Sequence, residues 1–262
     1  MQTLNDIPVI NYLEYHVVHG CNLKCSGCSH FSHLTTGGLK SVDDLVFDLE
    51  PWTKRVKISS FSLMGGEPLL NRDINQLMSA ARKLLPDAAL ILVSNGLLLK
   101  DEHLASLVAN DFELIVSQHS RDELYLQKFN EIERRIKEWQ NKKLRAQIRN
   151  SVDNWSQRYH EENGKLTPYQ DGDPNQSYKI CRAKHCKQLF NQRLWKCPPV
   201  AYIKLMDVDK QWDLMKNYTG VGIDCTAEEL RRFLSVESEE VCGLCSKNVV
   251  PKDKHINPVA YK

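Results

Sequence analysis

The chain has 262 residues, a formal net charge of +2 and 42% hydrophobic residues. That is enough for one large α/β domain, or one domain with a small appendage, around an ordinary core. The balanced charge argues against a nucleic-acid surface, no apolar run is long enough to span a membrane, and Met1-Gln-Thr-Leu-Asn-Asp6 lacks the basic start and apolar centre of a signal peptide.

Taken in order, residues 1–11 read as a lead-in and 12–18 as a strand. A cysteine-containing loop and a polar, Gly-containing segment (32–40) follow. Ser41 and Asp44 form a capping-box pattern that opens a helix to about 55. Residues 56–63 read as a second strand. Ile74, Leu77, Met78, Ala81, Leu84 and Leu85 recur at helical spacing, which predicts an amphipathic helix over 72–85, stopped by Pro86. Ala89–Val93 is a continuous apolar run, as in a strand buried on both faces. A helix is predicted over 101–110 and a strand over 112–116. A second capping box at Ser120 and Glu123 opens a charged helix to about 142, and a strand follows over 144–148. Strands alternating with helices predict a parallel sheet with right-handed crossovers. Residues 151–179 read as an irregular connection in which Trp155, Arg158, Tyr159 and His160 are candidates to line a substrate cavity or to sit in a solvated linker. Gln188–Trp195 reads as a hairpin turning at Asn191-Gln192, and Thr226 and Glu229 cap a late helix.

The nine cysteines fall in two groups, three at 21–28 and six at 181–245. An odd count with Cys-x-x-Cys spacings favours metal ligation in a reducing compartment over disulfides, which predicts a cytoplasmic protein. Cys21, Cys25 and Cys28 can wrap one face of a cubane cluster and leave one iron without a protein ligand. An open iron is what a cluster needs to bind and activate something. Gly65-Gly66-Glu67 ends the second strand. Glycines permit close approach of backbone to a ligand, and one carboxylate pairs with one ammonium. Ser94, Asn95, Ser117 and Arg149 fall at the carboxyl ends of later strands, where ligands of parallel sheets gather.

Cys-x3-Cys-x2-Cys followed by Gly-Gly-Glu resembles the radical S-adenosylmethionine (radical SAM) enzymes. The position before the third cysteine, usually aromatic or bulky in that family, is Gly27 here, with Phe31 three residues beyond Cys28. The resemblance implies a partial (β/α)6 TIM-like barrel over 1–165. It implies a 4Fe–4S cluster on Cys21, Cys25 and Cys28, and S-adenosylmethionine held by Gly65, Gly66, Glu67, Ser94 and Asn95, with Ser117 and Arg149 as further contacts. The second cysteine set resembles the family's carboxyl-terminal auxiliary-cluster module in its short, twitch-type form, expected over 166–262. Its ligands are then Cys181, Cys197, Cys242 and Cys245, with Cys186 as an alternative first ligand. A zinc site with the same four thiolates is the competing reading. The implied reaction is hydrogen-atom abstraction from a small polar, sugar- or cyclitol-like substrate. Net oxidation follows, with the auxiliary cluster as electron acceptor, and a flavodoxin- or ferredoxin-type protein as reductant. In size and layout the chain resembles a short cyclitol dehydrogenase of aminoglycoside biosynthesis. Epimerisation with Cys186 or Cys225 returning a hydrogen atom, and peptide modification, are alternatives. The chain begins its first strand near residue 12, which is read as no fused leader-peptide domain. A two-cluster electron-transfer protein is the non-enzyme alternative, and no nucleic-acid or membrane partner is expected.

Overall fold

The structure, a computed structural model, describes residues 7–152, 156–206 and 212–251. In chain order, β1 (Val9–Ile10) and β2 (Leu13–His16) precede α1 (Val42–Thr53), β3 (Lys57–Ile58) and β4 (Ser60–Met64). Next come α2 (Ile74–Leu84), β5 (Ala89–Ser94), α3 (Asp101–Ala109), β6 (Phe112–Gln118), α4 (Glu123–Gln140) and β7 (Arg145–Asn150). The remainder contains β8 (His160–Glu162), β9 (Lys165–Thr167), α5 (Pro174–Ile180), β10 (Lys187–Phe190), β11 (Arg193–Trp195), α6 (Pro198–Tyr202), α7 (Asp213–Lys216) and α8 (Ala227–Ser235).

One seven-stranded sheet organises these elements, in the order β11-β10-β2-β4-β5-β6-β7. Every neighbouring pair is parallel except the β10–β11 hairpin. The sequence places five strand–helix units before residue 150, and all five strands are present. The sixth parallel strand does not follow β7. It is β10, which returns to the free edge of β2 and sets Gln188 opposite Glu14. The expected six-unit succession is corrected accordingly: consecutive crossovers supply five strands, and the carboxyl-terminal region supplies the sixth.

Local chemistry explains most element boundaries. Ser41 caps α1, and Asp44 completes the capping box. Helix α4 starts differently from expectation. Asp122, not Ser120, is the cap, accepting from Leu124 and Tyr125 N–H, while Ser120 Oγ accepts from Asp122 N–H. Asn191 and Gln192 both lie at positive φ (50° and 58°), which a two-residue hairpin of right-handed twist requires. The expected irregular stretch 151–179 contains the β8–β9 hairpin and α5. Its turn, Asn163-Gly164, also has both residues at positive φ (49° and 75°).

Two apolar clusters hold the fold. The larger packs α1–α4 on the sheet around Trp52, Phe61, Leu90 and Leu114, and also takes in Leu189, Leu194, Leu230 and Phe233. The smaller joins Phe31 of the cysteine loop to Tyr159, Leu166, Trp195, Tyr202 and Leu244. Each cluster therefore draws on residues from both sides of position 165. Among the described residues no helix is long and apolar enough to cross a membrane.

Candidate active site

The loop after β2 carries Cys21, Cys25 and Cys28, none of them in a disulfide. They line a cavity of about 180 Å³ together with Gly65, Gly66, Ser94, Asn95 and Ser117 from the carboxyl ends of β4, β5 and β6. The sequence thus brings together every expected residue of this site except Glu67 and Arg149. Arg149 is exposed on β7 and is not part of the lining. Gly27 sits at φ 65°, so the loop needs glycine just where the resembling family has a bulky residue. Phe31 is buried instead in the second apolar cluster, stacked on Tyr159 at 5.8 Å.

In the structure the Gly-Gly-Glu segment makes a close backbone contact with the cysteine loop. Gly66 N–H donates to Val18 O at 2.9 Å, and Glu67 N–H donates to Gly20 O at 3.0 Å. A Cβ at Gly65 would collide with the Val18 carbonyl, and one at Gly66 with the Gly20 carbonyl. The glycines therefore let two backbones meet, carrying β4 past its last ladder bond and against the cysteine loop. Glu67 is 1% exposed and is not among the residues that line the cavity, although its partners Ser94 and Asn95 are. It accepts from Ser94 Oγ at 2.7 Å, Asn95 N at 2.8 Å and Leu69 N at 3.1 Å. Burial raises its pKa to about 7, against those hydrogen bonds. Asn95 Nδ2 then donates to Asn22 Oδ1 at 2.7 Å, which fastens the β5 end to the cysteine loop.

Sequence reasoning missed the imidazoles of this site. His30 and His119 line the cavity, and His119 Nδ1 lies 3.6 Å from Cys25 Sγ. Burial pushes the Cys21 thiol up to about 12, with Glu67 adding to the effect. Burial acts on Cys28 too, but His30 and His33 beside it outweigh that and hold its pKa well below the usual thiol range. His-x-x-His at 30 and 33 was the available signal. His16, wholly buried and therefore held neutral, stacks on Tyr202 at 3.8 Å and continues the row of rings into the barrel. Tyr202 donates to Gln188, and Gln188 donates to Glu14.

The second cysteine set surrounds its own small cavity. Cys181, Cys197, Cys242 and Cys245 all line a space of about 30 Å³, with Lys184 and Lys196 at its edge. Cys181 ends α5, Cys197 caps α6, and Cys242 and Cys245 lie in or next to the 3-10 turn Glu240–Leu244. Ser177 donates to Cys245 O at 2.9 Å, tying α5 to that turn. Burial pushes the Cys245 thiol up to about 12. Cys186 is not in this lining. It is half-buried beside Glu14, and desolvation together with that carboxylate raises its pKa. Cys225 is half-buried near Arg55 and lines neither thiol cavity. Of the other candidates, Tyr159 is a core residue and His160 is exposed. Arg158 lies beside Cys245 and Cys186, and Trp155 falls outside the described residues. Among the described residues no three His, Cys, Asp or Glu side chains converge on one point to hold a single metal ion.

The first donor set fits an iron–sulfur cluster. Soft thiolates on one wall, facing a cavity whose other walls are glycine backbone and small polar side chains, suit a cubane with one open iron and a ligand next to it. Comparisons with known proteins bear on the family and the fold. GTP 3',8-cyclase of Geobacter sulfurreducens is 33% identical over 95 residues, 35% of this chain and 29% of that protein. The same enzyme of Campylobacter jejuni subsp. doylei is 32% identical with the same shares. The chain thus spans under a third of the length of these curated relatives. The structure of BtrN in complex with AdoMet and 2-DOIA matches with a TM-score of 0.55 at 15% identity, over 97% of this chain and 98% of that one, a likeness of fold. A family model described as the Radical SAM superfamily matches residues 15–154, more than half of the chain and the whole span from β2 to β7. The chain belongs to the radical SAM superfamily, enzymes that work with a 4Fe–4S cluster and S-adenosylmethionine.

Proposed function

We propose that this radical SAM enzyme carries two clusters and oxidises a small polar molecule at a hydroxyl-bearing carbon. The observation that carries the reading is the division of seven thiols between two cavities, three around one and four around the other. Three thiolates leave an iron open for S-adenosylmethionine, and four close a cluster so that it only relays electrons. When bound, the first cluster and S-adenosylmethionine supply a radical that removes a hydrogen atom from an unreactive C–H, and the second cluster supplies a one-electron acceptor. In this reading residues 166–262 form a twitch-type auxiliary-cluster module on a partial barrel of residues 1–165.

The chain's own residues then have separate tasks. Cys21, Cys25 and Cys28 hold the first cluster. Gly65 and Gly66 place backbone beside the S-adenosylmethionine, and Ser94, Asn95 and Ser117 flank it. Glu67 holds the β4 and β5 ends in register from behind. Among the described residues lining the first cavity there is no lysine or arginine. The partial match to GTP cyclases lends no support to sugar oxidation. A flavodoxin- or ferredoxin-type protein is the fitting electron donor, and nine free thiols suit a reducing, cytoplasmic setting.

The test is anaerobic reconstitution of the whole chain, followed by counting iron and 5'-deoxyadenosine. About eight irons per chain and formation of 5'-deoxyadenosine are expected. Replacing Cys21, Cys25 and Cys28 together by Ala should halve the iron and abolish cleavage. Iron bound with no cleavage under any reductant would overturn the reading. One observation favours a second reading, radical epimerisation. Cys186 is a half-buried thiol beside Glu14, and desolvation with that carboxylate raises its pKa, which keeps the hydrogen atom that a donor needs. Solvent deuterium appearing in product, and vanishing in Cys186→Ser, would select it.

A further inference from the structure

We propose that Tyr202 is a positioning residue of the first site: its ring gathers the two ends of the cysteine loop and so sets the span over which Cys21, Cys25 and Cys28 are held. This rests on those three thiols being cluster ligands. Tyr202 ends α6, outside the span matched by the family model, and is wholly buried. Three imidazoles meet its ring. His16 of β2 stacks on it at 3.8 Å, with 17° between the planes. His19 lies just before Cys21, with its ring at 5.5 Å, and His30 lies just after Cys28, with its ring at 6.1 Å. The loop therefore leaves β2 beside one aromatic ring and comes back to the same ring.

Tyr202 makes a fixed point because it is itself held on several sides. Its hydroxyl donates to Gln188 Oε1 at 3.0 Å, and Gln188 Nε2 donates to Cys186 O at 2.8 Å and to Glu14. Phe190 packs edge-on against the ring at 5.4 Å. Helix α6 begins with Pro198 and Pro199, whose rings fix the backbone of its first turn, and all its residues are buried. Cys197 caps this helix and lines the second cavity. One short buried helix thus has a thiol of the second site at its start and the hub of the first loop at its end.

The contacts among the histidines carry this position to the cavity. The rings of His16 and His30 are 4.9 Å apart, and the Nδ1 atoms of His16 and His19 are 3.4 Å apart. His30 alone of the three lines the first cavity, next to Cys28 and Ser29. Aromatic contacts at such distances prefer definite geometries, and in a close-packed interior a ring cannot move without moving its neighbours. Without the Tyr202 ring, His16 loses its stacking partner, and the two ends of the loop lose the surface on which both rest.

The experiment uses the full chain with clusters reconstituted. S-adenosylmethionine at an open iron changes the EPR signal of that cluster, which marks the first cluster apart from the second. Tyr202→Leu removes the ring, and Tyr202→Phe keeps it without the hydroxyl. Met215→Ala is the control, since Met215 is buried in the same apolar cluster and lines neither thiol cavity. Under a chelator, Tyr202→Leu should lose the marked signal on the order of tenfold faster than wild type, as for loss of a group that orients metal ligands. The signal that does not respond to S-adenosylmethionine should decay at the wild-type rate. Hydrogen exchange across the loop peptide 19–30 should rise in the same variant. Tyr202→Phe and Met215→Ala should match wild type in both readouts. Equal loss of both signals in Tyr202→Leu would mean general unfolding and would overturn the proposal. Unchanged loop exchange would overturn it too, as would an effect of Tyr202→Phe as large as that of Tyr202→Leu. A wild-type chain that takes up iron but shows no signal responsive to S-adenosylmethionine would overturn the ligand assignment instead. The exchange comparison would then decide by itself whether Tyr202 holds the loop.

Discussion

Ser94 donates its hydroxyl to Glu67 at 2.7 Å, and this bond ties the carboxyl end of β5 to that of β4 behind the thiol-lined cavity. The glutamate of the Gly-Gly-Glu motif is thus a structural strut. Removing it strands the Ser94 hydroxyl and the Asn95 and Leu69 amides in a buried place. Glu67→Ala should lose about 2–3 kcal/mol of stability. Urea unfolding of the cluster-free chain measures this. A loss under about 0.5 kcal/mol, typical of a surface change, would mean that the strut is dispensable.

The same carboxyl predicts a pH dependence of opposite sign to the usual acidic residue. Burial raises its pKa from 4.5 to about 7, so the folded state binds the proton more tightly than the unfolded state. Its contribution is full below about 4.5 and is lost as pH rises to about 7. Relative to Glu67→Gln, which does not titrate, wild type should lose on the order of 3 kcal/mol between pH 4.5 and 8. Paired denaturation curves across that range read the difference. A wild-type advantage that grows with pH would show that the hydrogen bonds prevail over burial.

Gly66→Ala pushes a methyl group into the Gly20 carbonyl. The backbone must part there, breaking the bonds from Gly66 to Val18 and from Glu67 to Gly20. A cost of about 3 kcal/mol is expected from two lost ladder bonds and local overpacking. Reduced iron uptake on reconstitution should accompany it. Wild-type unfolding and iron content in this variant would be incompatible with the packing described.

Gln192 occupies a positive-φ turn position with a side chain that gains nothing from it. Its backbone does the work: Gln192 N–H donates to Asp48 Oδ1 at 3.1 Å, and Gln192 O accepts from Trp52 Nε1 at 3.1 Å. Gln192→Gly keeps both bonds, relieves the strain and creates the favoured Asn-Gly turn. A gain of about 1 kcal/mol is expected from thermal or urea unfolding.

What the sequence disclosed depended on periodicity and on covalent nearness. The apolar run Ala89–Val93 and the helical spacing from Ile74 to Leu84 gave β5 and α2 almost to the residue. The cysteine triplet and Gly65-Gly66 met at one cavity because both follow adjacent parallel strands. The β8–β9 hairpin departs from the expected irregular connection over 151–179: its Asn163-Gly164 turn signal is obscured by polar, Pro-containing surroundings. Long-range choices were not legible. Nothing local says that Glu67 faces Ser94, that Arg149 stands outside the cavity, or that Cys186 sits by Glu14 while Cys181 joins the four-thiol set. Those outcomes depend on which strand lies next to which.

The pairing of β10 with β2 also bears on how the chain is made. Gln188 meets Glu14 across 174 residues of sequence. Strand β2 has one side without a partner until residues 187–190 have left the ribosome. An open strand edge is a template for pairing with another chain, and distant pairings form slowly. The nascent protein is therefore most prone to aggregate while residues 13–16 await 187–190. Truncations that end before Lys187 should precipitate, and those that include Trp195 should recover solubility.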